Sequence, residues 1–401
     1  MKGQCVMIRS KVVFTEEIDD LEAAVEELAK EAGGFELQKN SVGIIYMDED
    51  TEYGELYPLL KEKWDIPFVA CTALALLTGK EGFNKSGIAM MLMTSDDCRF
   101  AVGMTEPLTG ADCREKITSL YKQLESELTP DEVKLVLTMG GKAPGMVGDD
   151  VIDVIDSFGK KVPVYGLLVS DAFNFSKYRL YCNDMNGQTT QAFILISGDI
   201  SPKFLRVTSI SGKANFSYEV TQSKENLVLR LGNGTFVEAL EKANMMSEKN
   251  NVIADYIMTP FITTLKKPGG RMVEAMRNLT ILNFETGSGS FLGGIPEGSS
   301  LGVGYLGSEH VKKTIEEAYD TVCKMIGEDG RKEHTILCTS CAARYMSLGK
   351  NVVLEAESFA KRFPENVSVM GMYSYGEFCP VGEGDEQDNI FHNSTFTVLY
   401  L

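Results

Sequence analysis

Short apolar runs recur along this chain, set apart by polar loops and by stretches with helical spacing. The run Val42–Met47 (Val-Gly-Ile-Ile-Tyr-Met) reads as a strand. A helix near Glu52–Lys63, a second strand Ile66–Cys71, a charged turn and a third strand Gly87–Met93 follow it. The same order returns as Val133–Leu137, a Gly-rich loop, the helix Asp149–Phe158, the strand Val162–Leu168, a long turn and Gln191–Ser197. It returns again as His334–Cys338, the helix Val352–Arg362, Val367–Tyr373 and the terminal strand Thr395–Leu401. Recurrence of this kind predicts copies of one structural unit.

Each unit starts as a strand–helix–strand crossover, which gives parallel neighbours. The extra strand, joined by a tight turn, is expected antiparallel to its predecessor, so the sheets are mixed. The first strands are apolar on successive residues, a pattern that suits burial on both faces. Ahead of the first unit, Thr15 is expected to cap a helix carrying Ile18, Leu21, Val25 and Leu28 and ending at Gly33-Gly34. Val311–Met325 has similar spacing and ends at Gly327.

Between Phe204 and Gly307 the pattern changes to short strands (Leu227–Leu231, Leu279–Phe284), helical stretches (Val237–Met246, Gly270–Arg277) and dense glycine from Gly287 onward. This reads as a second domain whose first half has drifted from the repeat, with a boundary near Ser197–Ser211. The expected fold class is α/β: repeated strand–helix–strand–strand units forming mixed β-sheets flanked by helices. Two domains are expected, residues 1–203 with two units and residues 204–401 with the third unit at 334–401.

Composition narrows the function. A chain of 401 residues with 44% hydrophobic and 24% charged residues buries sizeable cores. A net charge of −18 repels phosphate backbones and anionic lipid, which argues against nucleic-acid and membrane partners. The nine cysteines are scattered without disulfide-scaffold spacing. The start, Met1-Lys2-Gly3-Gln4-Cys5, leads into an expected charged helix without the apolar region of a signal peptide. The longest charge-free apolar stretch, Ile66–Gly79, falls short of the roughly 20 residues a membrane span needs. A reduced, cytoplasmic protein is expected.

In crossover units, ligands gather at the carboxyl ends of parallel strands. This nominates Thr72-Ala73, Gly140-Gly141-Lys142, Ser170-Asp171, Thr339-Ser340-Cys341 with Arg344, and Ser374-Tyr375-Gly376-Glu377. With the last strand beside Val367–Tyr373, His392 and Asn393 would face Tyr375 and Glu377. Cys338, Cys341 and His392 have a metal-ligand spacing, but Cys338 ends an apolar strand and no second C-x-x-C pair exists. Neither a metal nor a cofactor is expected. Cys341, activated by His392 and oriented by Glu377, would make a nucleophile; a small buried cysteine is the plain alternative. Arg344 would clamp a carboxylate or pair with Glu377. Gly140-Gly141-Lys142 lacks the Ser/Thr of a phosphate loop but can offer backbone N–H groups to an anion.

The segments Gly371-Met-Tyr-Ser-Tyr-Gly-Glu-Phe-Cys-Pro380 and Phe391-His-Asn-Ser-Thr-Phe-Thr397 resemble the C-terminal signature of FIST domain proteins (F-box and intracellular signal transduction). Cys341-Ala-Ala-Arg344, Ile295-Pro-Glu-Gly298 and Pro163-Val-Tyr-Gly166 with Ser170-Asp171 are similar to further elements of that family. Ala70-Cys-Thr-Ala73 departs from the family's Gly-Gly-Thr-Ser pattern. The resemblance implies a cytosolic sensory module that binds a small ligand, an amino acid or related metabolite, and signals to a separate partner protein. The expected ligand-binding residues are Cys341, Arg344, Tyr375, Gly376, Glu377, His392, Asn393, Ser170 and Asp171. Arg344 would hold a carboxylate, Glu377 an amine or Arg344 itself, and Tyr375 and Asn393 would fix orientation. The competing readings are a thiol-dependent enzyme using Cys341, His392 and Glu377, and a structural interaction module.

Overall fold

The computed structural model describes residues 8–246, 259–267 and 270–401; the segment Met1–Cys5 lies outside the described residues. Three units repeat one element order. The first runs β1 (Arg9–Thr15), α1 (Leu21–Ala32), β2 (Asn40–Met47), α2 (Tyr53–Lys63), β3 (Phe68–Thr72), the hairpin β4 (Leu76–Thr78) and β5 (Gly82–Asn84), then β6 (Ile88–Ser95). The second runs β7 (Arg99–Met104), α3 (Cys113–Leu128), β8 (Val133–Gly140), α4 (Gly148–Asp156), β9 (Val164–Leu168), the hairpin β10 (Leu180–Cys182) and β11 (Met185–Gly187), then β12 (Gln191–Ser197).

The third unit opens with β13 (Lys203–Thr208) and is then interrupted. Residues 210–306 fold as a separate barrel rather than as a drifted repeat. Its elements are β14 (Ile210–Lys224), β15 (Leu227–Leu231), β16 (Gly234–Thr235), α5 (Phe236–Lys242), β17 (Pro260–Lys266), β18 (Met272–Asn283), β19 (Ser288–Phe291) and β20 (Ser300–Leu306). The order β14-β20-β17-β18-β19-β15, with β15 returning to β14, closes the sheet on itself. Closure removes free strand edges, and α5 with Phe216, Phe236, Phe261 and Phe291 fills the interior. Gly270–Arg277, expected as helix, is largely β18, which pairs antiparallel with β17 from Met272 to Asn278. The third unit then resumes with α6 (Ser308–Asp329), β21 (His334–Cys341), α7 (Ala342–Leu348), α8 (Leu354–Ser358), β22 (Val367–Ser374), the hairpin β23 (Gly376–Val381) and β24 (Asp388–His392), and β25 (Thr395–Tyr400). The stretch expected as one helix, Val352–Arg362, is broken into α8 and a 3-10 turn.

Local rules account for most elements. Asp20, not Thr15, caps α1 by accepting Ala23 N–H, while Thr15 closes β1. Leu21, Ala24, Val25, Leu28 and Ala32 form the buried stripe of α1. Residues 42–47 of β2 and all of β9 are buried, as continuous apolar strands between two layers should be, and β21 is buried throughout despite His334, Thr335, Thr339 and Ser340.

The closing strand of each unit lies antiparallel beside the first central strand: β6 on β2, β12 on β8, β25 on β21. It does not lie beside the second strand as expected, because a hairpin from another unit occupies that place. The first unit's β4 pairs with β22, the second unit's β10 with β3, and the third unit's β23 with β9. The three units thus exchange hairpins in a ring, and each sheet is completed only by its neighbour. Close packing fixes two glycines in this ring. A Cβ on Gly166 of β9 would lie 1.8 Å from Thr138 O, and one on Gly371 of β22 would lie 2.4 Å from Cys338 O. No helix among the described residues is long and apolar enough to cross a membrane.

Candidate functional site

The nominated strand ends do converge, but most of their side chains are spent on each other. Arg344, in the first turn of α7, is wholly buried. Its Nε and Nη2 donate to Glu355 Oε1 at 2.9 and 2.6 Å, and Nη1 donates to Ser209 Oγ. Glu355 Oε2 accepts from Ser340 Oγ at 2.7 Å. The internal partner of Arg344 is therefore Glu355, not Glu377, and its guanidinium is not presented to a ligand carboxylate. A buried arginine survives only with such pairing.

Glu377, His392 and Cys341 are likewise enclosed. Glu377 stands opposite His392, but through the β23–β24 ladder rather than through a β22–β25 pairing. The carboxyl group is hydrogen-bonded to Ser374 Oγ at 2.9 Å and Thr395 Oγ1 at 2.8 Å, and touches the Cys341 thiol. Burial pushes Glu377 up to about 8, so at neutral pH it keeps its proton. Burial holds His392 neutral, well below its ordinary value. His392 Nε2 lies 3.0 Å from Cys379 O, and its Nδ1 has no partner among the described residues. The Cys341 thiol is pushed well above its ordinary value by burial and then by Glu377. The thiol thus faces a protonated acid and no imidazole, the reverse of what activates a nucleophile. Among the described residues, no group of three His, Cys, Asp or Glu is placed to hold a metal ion.

Asn393 and its neighbours serve instead to anchor the barrel. Asn393 Oδ1 accepts Asn278 N–H at 3.3 Å, its own N–H reaches Met276 O at 3.3 Å, and Ser394 Oγ donates to Asn278 Oδ1 at 2.9 Å. Beside them, buried Arg277 of β18 donates to Phe391 O at 2.8 Å, to Gly294 O at 2.9 Å and to Asp149 Oδ1 at 2.8 Å. Gly376 allows this approach, since a Cβ there would sit 2.4 Å from the Phe391 ring.

Ser170 and Asp171 bind the units together. Ser170 Oγ donates to Tyr373 O and accepts Leu74 N–H at 2.9 Å. Asp171 accepts backbone N–H groups from Phe175 (2.9 Å), Ser176 (3.0 Å), Lys177 (2.9 Å) and Tyr178 (3.2 Å), and the Tyr375 hydroxyl at 2.5 Å. Burial works against its charge, but the Tyr375 hydroxyl and these amides outweigh it, leaving Asp171 below the ordinary carboxylate value.

Open space lies at the end of β8, where the second unit meets the barrel. A narrow cleft with a cavity volume of about 20 Å³ is lined by Gly141, Lys142, Ala143, Met146, Val147, Gly148, Val151, Leu168, Gln191, Asn226, Phe291 and Leu292. Its walls are chiefly apolar. Gln191 donates Nε2 to Thr138 Oγ1 at 2.6 Å, and Asn226 donates Nδ2 to Phe291 O at 2.5 Å, which leaves both amide oxygens as possible acceptors. Lys142 is exposed and has no acidic partner among the described residues. A Cβ on Gly141 would lie 1.8 Å from Gln188 O, so glycine is required for the turn that brings Lys142 to the rim. The sequence nominated Gly140-Gly141-Lys142. The opposite wall, Asn226, Phe291 and Leu292, comes from the inserted barrel and carried no signal.

The comparisons agree with this architecture. The FIST N domain model matches residues 41–233 and the FIST C domain model matches residues 237–380. No curated protein matches the chain by sequence. FIST domains are in general sensor domains of signal transduction. Two models that together cover most of three exchanging units and an inserted barrel leave one assignment: the chain belongs to the FIST domain family.

Proposed function

We propose that this protein is a cytoplasmic sensory module that binds a small amino acid or related carboxylate metabolite in the Lys142 cleft and signals to a separate protein. The observation that carries this reading is an uncommitted lysine on the rim of an apolar-walled cleft between two separately folded bodies. Lys142 takes the ligand carboxylate, Gln191 and Asn226 offer amide oxygens to an amine, and Met146, Val151, Leu168 and Phe291 cover an apolar side chain. The eight described cysteines are all free thiols, which suits a reducing compartment.

In this reading the residues first nominated, from Cys341 and Arg344 through Tyr375, Gly376 and Glu377 to His392 and Asn393, with Ser170 and Asp171, form the frame against which the barrel is seated. With a cavity volume of about 20 Å³ the cleft is too narrow for an amino acid in this setting, so ligand enters only a more open setting of the barrel on that frame, and only a difference in affinity between the two settings transmits a signal. Thermal-shift screening of the full chain against the amino acids and their 2-oxo acids tests this. A ligand at 100 times its dissociation constant adds about 2.7 kcal/mol of stability. Lys142→Met should abolish the shift without lowering the melting temperature of the free protein. A panel with no hit, or a shift that survives Lys142→Met, overturns the reading.

A further inference from the structure

Beyond the residues that line the Lys142 cleft, the three units bring aromatic rings together around Tyr375. Phe173 and Phe175 come from the loop after β9, Tyr345 from α7 and Phe83 from β5; all four rings are half-buried. Phe175 stacks on Tyr375 with centroids 4.7 Å apart, while Phe173 lies 6.0 Å from Tyr345 and 6.4 Å from Tyr375. Tyr345 and Phe83 are 6.2 Å apart.

The loop carrying the two phenylalanines is held in a conformation their side chains disfavour. Phe173 has φ of 62° and Phe175 of 55°, the left-handed region that bulky residues avoid. The rings do not repay that strain through full burial. The conformation is imposed from below by Asp171, through its four backbone amides and the Tyr375 hydroxyl. It is imposed from the side by Glu49, which accepts Ala172 N–H at 2.6 Å and Asn174 Nδ2 at 2.8 Å. Strain maintained to keep aromatic faces partly open marks a recognition surface rather than a core.

The charge around it selects the ligand. Ionised Asp171 lies beneath the rings, and Glu49 and Asp50 flank them, opposed by Lys177 and by Arg179, whose guanidinium donates to Ser176 O and Tyr178 O of the same loop. Among the described residues, none of the chain's arginine–aromatic stacks falls on these rings. We infer that the Phe173–Phe175–Tyr345–Tyr375 cluster is a binding site for a small organic ammonium ion, held by cation–π contact over carboxylates.

Choline and its neutral isostere 3,3-dimethylbutan-1-ol have the same shape and differ in charge, so the pair tests the inference on the full chain by NMR titration. Choline methyl resonances should move upfield on binding, with affinity at least about fivefold above that of the isostere. Phe173→Leu and Tyr345→Leu should each weaken choline by a similar factor, and Tyr345→Phe should largely keep it. Equal binding of choline and the isostere would reveal only an apolar patch and overturn the inference. So would an absence of choline binding, or choline affinity unchanged in both leucine variants. Circular dichroism and the melting temperature of each variant establish that it is folded.

Discussion

Asp149, in the first turn of α4, and Arg277, in the middle of β18, meet at 2.8 Å across 128 positions of sequence. The same carboxylate accepts Gly294 N–H at 2.8 Å through its other oxygen. One acid from the second unit therefore fastens two parts of the barrel, immediately beside the proposed ligand cleft.

Arg277 is wholly buried, so deleting it strands Asp149 and three carbonyl acceptors: Gly294, Met276 and Phe391. Arg277→Met should destabilise the chain by about 3 kcal/mol. It should also raise amide exchange in β18 and at the start of α4 before it does so in β2 or β8. Hydrogen-exchange mass spectrometry reads this; uniform loss of protection across all three units would contradict a local anchor.

Much of this architecture could be read from the chain, for a physical reason. Strands such as β2 and β9 are buried on both faces over the runs Val42–Met47 and Val164–Leu168, where apolar residues follow one another, so the runs stand out. The hairpins of the first two units carry little pattern because their strands are three residues long and draw their partners from other units. Leu76–Thr78 is defined by its pairing with Met370–Met372, almost three hundred positions away. The meeting of Glu377 with His392 was legible, though the ladder that causes it was not. The partner of Arg344 was hidden because Glu355 falls in a stretch whose spacing suggested one continuous helix. The barrel wall of the cleft was invisible, since Asn226 and Phe291 become neighbours of Lys142 only through an insertion.

Arg344 and Glu355 form an ion pair with no exposed side-chain surface. Removing one partner leaves an uncompensated charge in a dry interior, whereas replacing both with apolar groups is far milder. Arg344→Met alone should cost about 3–5 kcal/mol in chemical denaturation, and adding Glu355→Leu should recover a large part of it. If the double variant is as unstable as the sum of the two single ones, the pair is not the unit that braces α7 against α8.

Cys341 should be inert. Its thiol is enclosed, pushed upward by burial and then by Glu377, and far from any arrangement that would make a thiolate. Iodoacetamide at pH 7 should label half-buried Cys323 in the native protein and reach Cys341 only on unfolding. Mass mapping of the alkylated peptides decides it. Rapid native labelling of Cys341 would revive the thiol-enzyme reading.

Glu377 gives the fold a pH dependence of a particular sign. Its ordinary value of 4.5 is pushed up to about 8 in the folded chain, by burial above all. Between those two values the folded state holds a proton that the unfolded state has released, so stability falls as pH rises through the window. His392 acts in the opposite sense, because its folded value lies well below its ordinary 6.5. It lowers stability only as pH drops below 6.5, where the unfolded chain takes up the proton first. From pH 6.5 to 8 the slope therefore belongs to Glu377 and not to His392. Glu377→Gln keeps a group that hydrogen-bonds Ser374 and Thr395 but cannot ionise. Urea denaturation across pH 6.5–8 should show wild-type stability declining by close to 1.4 kcal/mol per pH unit at most, with a nearly flat line for Glu377→Gln. Parallel slopes in the two proteins would mean that Glu377 is already ionised in the folded state, and that Ser374, Thr395 and the Cys341 thiol solvate a true carboxylate.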